Sequence, residues 1–359
     1  MSLTILCYHY PTLFRPDAEN LADPAVPAFV RYLFAQGHRS VEVFFMISGF
    51  LIYVQYGGKI RRGSIGLVPY ISRRVVRLYP YAILTAVVAA ACIWFSKAVF
   101  PKGHLFTAVC GTSGTRPTLI SFFMSVFGVQ SGWLNDGTQY SINNSAWYNG
   151  TLMICYGIFY VIGEHCKGDR VKENCCYITL VLVGAWIWGA GYEFPLMWPR
   201  CGRAYLNFFG GALLAQVVQS IDTDRKRHYV LAAGGTGVAL YILCYKLGFL
   251  GSIGHANSMV LGPSLIIFMT VSRTVARISD NKFVQYLGKL AYGVYMWNQP
   301  FVMMLYVAED IFGLNFHGNS PRVFWCYIVL VVLMAVVGHE LFEKPVTKWC
   351  KRRFAKYLT

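Results

Sequence analysis

The stretch Ser40–Tyr56 reads SVEVFFMISGFLIYVQY, and the basic segment Gly57–Arg77 separates it from an apolar run that starts LYPY at Leu78. About 17 mainly apolar residues are long enough to cross most of a bilayer as a helix. A basic cluster directly after such a run is typical of a cytoplasmic loop. Arginine is also the side chain best shaped to hold a phosphate through two hydrogen bonds. This stretch therefore predicts a membrane helix, its orientation and an anion site at the inner membrane face.

The composition is that of a polytopic membrane protein. Of the 359 residues, 56% are hydrophobic and 13% are charged, whereas a soluble domain carries about a quarter charged residues. The net charge of +16 would suggest nucleic acid if it lay on one soluble face. Here it follows the loops, so we expect membrane lipids as partners and no nucleic acid. The 11 cysteines lack ligand-like spacing, which predicts packed free thiols and no metal site.

Apolar runs predict an all-α fold of about ten transmembrane helices. A further run, Leu119–Gln130, is ambiguous in length. If it does not cross the membrane, five basic loops that hold 21 of the 32 Lys and Arg residues lie on one side, as the inside-positive rule requires. We therefore expect this run to be re-entrant or interfacial. The predicted spans are Met1–Phe14, Ser40–Tyr56, Leu78–Phe100, Ser145–Ile162, Tyr177–Tyr192, Ala204–Ser220, Tyr229–Leu247, Met259–Val271, Tyr286–Ala308 and Val323–Leu341.

Membrane helices fill most of the chain, which predicts one membrane domain, residues 1–345, and a basic cytoplasmic tail, residues 346–359. We expect a multi-pass protein of the cell (inner or plasma) membrane with both termini in the cytoplasm. The first span is short, because it has about 10 apolar residues against the roughly 20 that a crossing helix needs. Either this helix is tucked against its neighbours or the sequence lacks the front of a longer helix, and we favour the second reading.

Several fragments, taken in order, carry a family resemblance. Ser40–Ile52 has an acidic residue before FF and then SGF, and Arg73–Pro80 reads RRVVRLYP. Asn144–Tyr148 is a tryptophan-led helix start, and YLGKLAYGVYMWNQP (Tyr286–Pro300) and FEKP (Phe342–Pro345) come last. Together they resemble the acyltransferase type 3 family of integral-membrane O-acyltransferases, in the form found among capsule and exopolysaccharide acetyltransferases.

The resemblance implies about ten helices and transfer of an acyl group, usually acetyl from acetyl-CoA, to a hydroxyl of a sugar or similar acceptor. A cell-surface glycan or its lipid-linked precursor is the expected acceptor. In the family, a basic residue on the first helix is followed ten residues later by a histidine treated as catalytic. Only His9 can occupy that position, and its basic partner would fall before Met1. Asn298 stands where the family commonly has a histidine, and we count it with the acceptor-contacting residues.

Acyl transfer needs a base that takes the proton of the acceptor hydroxyl, and histidine has a suitable pKa. His9 is the candidate base or transient acyl carrier, and the alternative is a hydrogen-bonded structural histidine. A carboxylate inside a span costs roughly 2.5–3.5 kcal/mol, so Glu42 should be paired. We expect it to orient His9 across helices or His38 at i−4; the alternative is a hydrated residue near the outer interface. His38 is the reserve base.

Arg73, Arg74 and Arg77 are the candidates for binding the CoA phosphates. Arg74 and Arg77 are three residues apart and share a helix face, which suits a diphosphate. The alternative is that all three are inside-positive anchors or contact lipid headgroups. Ser48 and Gly49 permit close approach of the pantetheine arm or of another helix, and helix packing is the favoured reading.

Asn144, Trp147 and Asn149 cluster at the predicted outer start of a helix. They are candidates for an acceptor path in which Trp147 stacks on a sugar ring, although Trp147 could instead be an interfacial belt aromatic. The function predicted from the sequence is therefore a membrane O-acyltransferase. Its rival is a transporter or flippase whose arginines hold a phosphate headgroup. Transporters often show paired, interrupted helices in their two halves, and we find no such pairing in this sequence.

Overall fold

The computed structural model describes residues 1–14, 37–106, 118–133, 142–247, 257–314, 316 and 320–358. All regular structure within these ranges is helical, which confirms the all-α prediction. Each predicted span coincides with a helix. The main helices are α1 (Ser2–Phe14), α2 (Ser40–Ile52), α3 (Leu67–Val99), α4 (Leu119–Phe127), α5 (Trp147–Cys166), α6 (Arg170–Ala190), α7 (Pro199–Gln219), α8 (Asp224–Lys246), α9 (Gly262–Val271), α10 (Arg273–Ser279), α11 (Lys282–Phe312), α12 (Pro321–Gly338), α13 (Lys344–Arg353) and α14 (Ala355–Leu358).

The segment predicted to be a basic loop is largely helical. Helix α2 continues through a π-helical turn, Tyr53–Gly57, and a further turn that ends at Arg61. Helix α3 begins at Leu67, so the arginines from Arg73 to Arg77 lie on its first turns instead of in the loop before it. A loop assignment based on charge alone fails here because arginine is a good helix former.

Four helical stretches in the described part of the chain are long and apolar enough to cross a membrane: Gly37–Arg61, Leu67–Val99, Arg170–Ala190 and Pro321–Arg353. Two consecutive helices, Ser258–Val271 and Arg273–Ser279, are bent by 78° and would make a fifth span if they cross together. These apolar helices support a membrane protein. The count of about ten spans and the side of each loop stay predictions.

The ambiguous run Leu119–Gln130 forms the short helix α4. Its nine residues extend over about 14 Å, roughly half of the hydrocarbon thickness of a bilayer. The helix has a defined start, because Thr118 and Ser121 form a capping box, and a defined end, because Gly128 adopts a left-handed conformation with φ 68°. This length supports a helix that does not cross the membrane.

The helices group into two compact units, each assembled from segments that are distant in the sequence. The first unit comprises Met1–Ser40, Val68–Thr151 and Lys289–Thr359, and the second comprises Val41–Leu67 and Leu152–Gly288.

In the first unit, α3, α11 and α12 meet around the buried side chain of Tyr81. The Tyr81 hydroxyl donates to the Ala335 carbonyl at 3.0 Å and accepts from the Trp297 indole at 3.1 Å. Gly293 and Gly338 make room for it, since a Cβ at either position would lie 2.6 Å from the hydroxyl oxygen. Buried hydroxyl and indole groups need partners, and these three helices supply them.

Helix α1 is tucked against its neighbours in the same unit. Ser2 donates to the Ala291 carbonyl on α11 at 2.8 Å. At the other end of the helix, the fully buried Tyr10 ring contacts Phe324 and Tyr327 on α12, with centroid distances of 5.1 and 5.4 Å. These contacts hold α1 in one orientation and so constrain the position of the preceding residue, His9.

In the second unit, close helix contacts depend on glycine. A Cβ at Gly49 on α2 would overlap the Phe208 carbonyl of α7, and a Cβ at Gly211 would overlap the Met46 carbonyl of α2. Gly184 and Gly202 bring α6 and α7 together in the same way. Small residues let membrane helices approach closely, so Gly49 has the packing role that the sequence favoured for the Ser48–Gly49 pair.

Candidate active site

The structure places His9 and His38 in contact with one aromatic ring, that of Tyr8, in the first unit. The ring of Tyr8 lies 5.0 Å from His9 and 4.7 Å from His38, measured between centroids. His38 belongs to a 3₁₀ turn, Gly37–Arg39, that packs on α1. A Cβ at Gly37 would overlap the carbonyl of Thr4. The two candidate bases therefore lie near each other, although 29 positions separate them in the sequence.

Glu42 in the second unit is paired with an arginine. Its carboxylate is 1% exposed, and Oε1 accepts from Arg203 Nε at 3.1 Å and Nη2 at 2.7 Å. The Arg203 guanidinium also lies over the Trp188 ring, 5.6 Å from its centroid. The other oxygen, Oε2, has no hydrogen-bond partner among the described residues. The sequence predicted that Glu42 must be paired but missed Arg203, and the orientation of a histidine by Glu42 stays a prediction.

The three arginines on α3 have three different environments. Arg73 donates from Nε and Nη2 to the Leu358 carbonyl, at 2.8 and 2.6 Å, and so holds α14 against α3. Arg74 is only 7% exposed, whereas Arg77 is exposed. They do not form one uniform cationic surface. Binding of CoA phosphates by any of them stays a prediction, and Arg77 is the most accessible of the three.

The asparagines at the start of α5 contact α11 within the first unit. Asn149 Nδ2 donates to the Tyr292 hydroxyl at 2.8 Å, and that hydroxyl donates to the Leu78 carbonyl at 3.1 Å. The backbone N–H of Asn144 donates to Gln299 Oε1 at 2.6 Å. Because Leu78 follows Arg77 directly, this chain of hydrogen bonds joins the asparagine cluster to the arginine-bearing end of α3.

Trp147 is buried in the first unit. Its side chain is 8% exposed, so it does not face lipid or water as a belt aromatic would. Contact between Trp147 and an acceptor sugar stays a prediction.

Asn298 is 1% exposed and connects α11 with the helix that packs on α1. Its Oδ1 accepts from the Tyr327 hydroxyl of α12 at 2.5 Å. The Tyr327 ring contacts Tyr10, the residue after His9. The sequence offered no signal for Tyr327 or Tyr292, because a tyrosine in an apolar run has no distinctive spacing.

Comparison with known proteins decides the family. Residues 2–340 match the family described as "Acyltransferase domain", which is acyltransferase type 3. The chain belongs to this family. The predicted recognition is confirmed, and it covers nearly the whole sequence.

A similar curated protein from Bacillus subtilis (strain 168) has the name "Putative peptidoglycan O-acetyltransferase YrhL". The identity is 22% over 349 residues, which is 89% of this chain and 52% of the relative. The chain therefore spans about half the length of that relative. No solved structure matches this acyltransferase chain.

In this acyltransferase chain, the candidate residues are distributed unequally between the units. The first unit holds both histidines, the three arginines, the asparagines and Trp147, whereas Glu42 and Ser48 belong to the second. Within the described ranges, no group of three or more His, Cys, Asp or Glu side chains could hold a metal ion. The candidate residues of the first unit carry imidazoles, guanidinium groups and amides, which suit proton transfer and anion binding.

The second unit contains an ion cluster that the sequence did not reveal. Arg61 Nη1 contacts both oxygens of the buried Glu173, at 3.1 and 3.0 Å, and also donates to the Tyr53 hydroxyl. Tyr177 donates to Glu173 Oε1 at 2.9 Å, and Arg170 donates to the Tyr53 hydroxyl at 2.6 Å. Arg61 and Arg170 therefore have structural partners, although their positions also fit the inside-positive pattern.

Proposed function

We propose that the protein is an integral-membrane O-acyltransferase that moves an acetyl group from acetyl-CoA to a hydroxyl of a cell-surface glycan or its lipid-linked precursor. The family match over residues 2–340 carries this proposal. The first unit adds support, because it contains both a histidine-bearing helix and the arginines of α3. In this proposal the chain is a multi-pass protein of the cell membrane, and acetyl-CoA binds from the cytoplasm.

His9 acts as the general base of the reaction. It takes the proton of the acceptor hydroxyl while that oxygen attacks the thioester carbonyl. The tetrahedral intermediate then collapses, the C–S bond breaks, and the protonated imidazole returns the proton to the CoA sulfur. A group that gives and takes a proton in this way contributes about 10²–10⁴-fold in rate. His38, which contacts the same Tyr8 ring, is the reserve base.

Arg77 and Arg74 bind the phosphates of the donor. They are three residues apart on α3 and share a helix face. Arg73 contributes less to phosphate binding, because its Nε and Nη2 already donate to the Leu358 carbonyl. The exposed Arg77 guanidinium offers two donors in the planar geometry that matches a phosphate.

The acceptor binds near the start of α5, where Asn144, Trp147 and Asn149 lie. Amide groups suit sugar hydroxyls because they both donate and accept hydrogen bonds. Peptidoglycan is the first acceptor to test, since the similar Bacillus subtilis protein is named for it.

The experiment is acceptor-dependent CoA release by the purified full chain in nanodiscs. Acetyl-CoA is supplied with peptidoglycan fragments or capsule-type oligosaccharides, and reactions without acceptor are the control. We expect CoA release with an ester-linked acetyl group on the sugar, seen by NMR and removed by mild base. Movement of a lipid-linked sugar across the bilayer without CoA release would support the transporter or flippase instead and overturn the proposal.

A further inference from the structure

A basic groove lies along the end of α12 and the whole of α13 in the first unit. It has a volume of about 470 Å³, within the range of about 300–1,000 Å³ that is usual for small-molecule sites. Its lining comes from the π-helical turn His339–Glu343 and from one face of α13. The lining residues that carry the argument are His339, Glu343, Lys344, Lys348, Lys351 and Arg352.

The cations of the groove share one helix face. Lys344, Lys348, Lys351 and Arg352 follow the spacing i, i+4, i+7 and i+8, which places them on one side of a helix. Lys344 pairs with Glu340 at 2.6 Å. Lys348, Lys351 and Arg352 are exposed and form no ion pair within the described part of the chain. Three positive charges therefore lie on the groove, where the one lining carboxylate, Glu343, is paired with His339 and not with any of them.

The inner end of the groove is built from buried groups. His339 is 8% exposed, and its Nδ1 lies 2.6 Å from Glu343 Oε2. That contact directs the Glu343 carboxylate toward the imidazole. The groove therefore has a buried imidazole paired with a carboxylate at one end and exposed cations along the rest.

The opposite face of α13 fixes the direction of the cations. Val346 and Cys350, together with Phe342 before the helix, line an apolar groove against α3. Arg73 holds the end of α14 through the Leu358 carbonyl. Because these contacts anchor the apolar face, the cationic face points away from α3 and stays open.

We propose that this basic groove binds a phosphate-bearing anion, with Lys348, Lys351 and Arg352 contacting the phosphate oxygens. The location favours such a ligand, because the groove begins where the apolar stretch of α12 ends, at the predicted inner face of the membrane. Anionic lipid headgroups and soluble phosphate compounds both reach that face. Basic residues next to a membrane helix each add measurably to the binding of anionic lipid.

The test uses the full chain in nanodiscs and two probes that separate the sources of the phosphate. The first is enrichment of phosphatidylglycerol over phosphatidylcholine among lipids retained by the protein, measured by native mass spectrometry. The second is equilibrium binding of CoA and of 3′-dephospho-CoA in nanodiscs of phosphatidylcholine alone. No acceptor or turnover is involved, and the phosphatidylglycerol result does not depend on the proposed acyl transfer.

The site variant is Lys348→Gln/Lys351→Gln/Arg352→Gln. Its matched control is Arg277→Gln/Lys282→Gln/Arg353→Gln, which removes the same charge from exposed positions outside the groove. We expect the site variant to lower affinity for one of the probes by roughly a hundredfold, while the control stays near wild type. A second variant, Thr347→Glu, adds a negative charge to the groove lining and should weaken binding in the same direction.

Loss of phosphatidylglycerol enrichment alone identifies a lipid headgroup as the ligand. Loss of CoA affinity alone identifies a soluble phosphate compound as the ligand. If wild-type protein prefers CoA and the site variant binds CoA and 3′-dephospho-CoA equally, the groove contacts the 3′-phosphate. Unchanged affinity for both probes in the site variant, or an equal loss in the control, would overturn the proposal.

Discussion

The two compact units use their polar residues differently. In the second unit, Glu42 is paired with Arg203, and Glu173 is enclosed by Arg61 and Tyr177. In the first unit, two histidines contact one aromatic ring, and an exposed arginine, Arg77, lies on the first turns of α3. Buried charges that are neutralised within a unit hold helices together, whereas accessible ones can meet a ligand. We therefore expect the chemistry mainly in the first unit and the scaffolding mainly in the second.

Replacement of Arg61 should give the largest loss of stability. Arg61→Met leaves the buried Glu173 carboxylate without its cation, and breaking such a pair costs about 3–5 kcal/mol. Thermal unfolding of the protein in nanodiscs measures the effect. The neighbouring Arg62 is exposed, so Arg62→Met is the control and should unfold like wild type. Equal stability of the two variants would break the assignment of this cluster to the scaffold.

Variants of Glu42 test whether the second unit is only a scaffold or also takes part in the chemistry. Glu42→Gln should cost about 3 kcal/mol because Arg203 loses its counter-charge. The double variant Glu42→Gln/Arg203→Gln should recover part of that loss, because no charge is left unpaired. Near-normal turnover per folded molecule in the double variant would make Glu42 structural. A large loss of turnover would give it the histidine-orienting role predicted from the sequence and so move part of the chemistry into the second unit.

The close contact at Gly49 between α2 and α7 tests whether helix packing stabilises the second unit. Gly49→Ala places a Cβ against the Phe208 carbonyl, and such overpacking costs about 1–3 kcal/mol. Gly210→Ala on α7 is the matched control, since a Cβ there meets nothing within 4 Å. Unfolding temperatures of the two variants measure the difference. A Gly49→Ala protein as stable as the Gly210→Ala protein would contradict the close contact.

Replacement of single arginines on α3 should give the smallest effect, a change in the KM for acetyl-CoA. Arg77→Gln should raise the KM for acetyl-CoA by about tenfold, as expected from the loss of one charge-assisted contact. Arg73→Gln should change that KM less, because Arg73 already donates to the Leu358 carbonyl. Steady-state CoA release at several acetyl-CoA concentrations separates the two variants. The reverse ranking would show that Arg73 leaves Leu358 to bind the donor.

The sequence predicted the helices well because most of the apolar runs are long and continuous. It misplaced the start of α3, since Leu67–Arg77 was taken as a basic loop and is helical. The predicted boundary between residues 345 and 346 falls inside α13. Charge marks the ends of apolar segments, but it does not mark where a helix begins or ends.

The partners of the site residues were beyond reach of sequence reasoning. Glu42 and Arg203 are 161 positions apart, and Asn149 and Tyr292 are 143 apart. Such contacts depend on how helices pack, and local spacing carries no information about packing partners so distant in the chain. The need for a partner at Glu42 could be predicted from the cost of an unpaired buried charge. The identity of that partner could not.

The most direct test of the central claim is the rate of acetyl transfer in His9→Ala. With acetyl-CoA and an accepted glycan, we expect turnover to fall by a factor of about 100–10,000, while the unfolding temperature stays near wild type. His165→Ala, which changes an exposed histidine at the end of α5, should keep its activity. Undiminished acetyl transfer by folded His9→Ala protein would contradict the account.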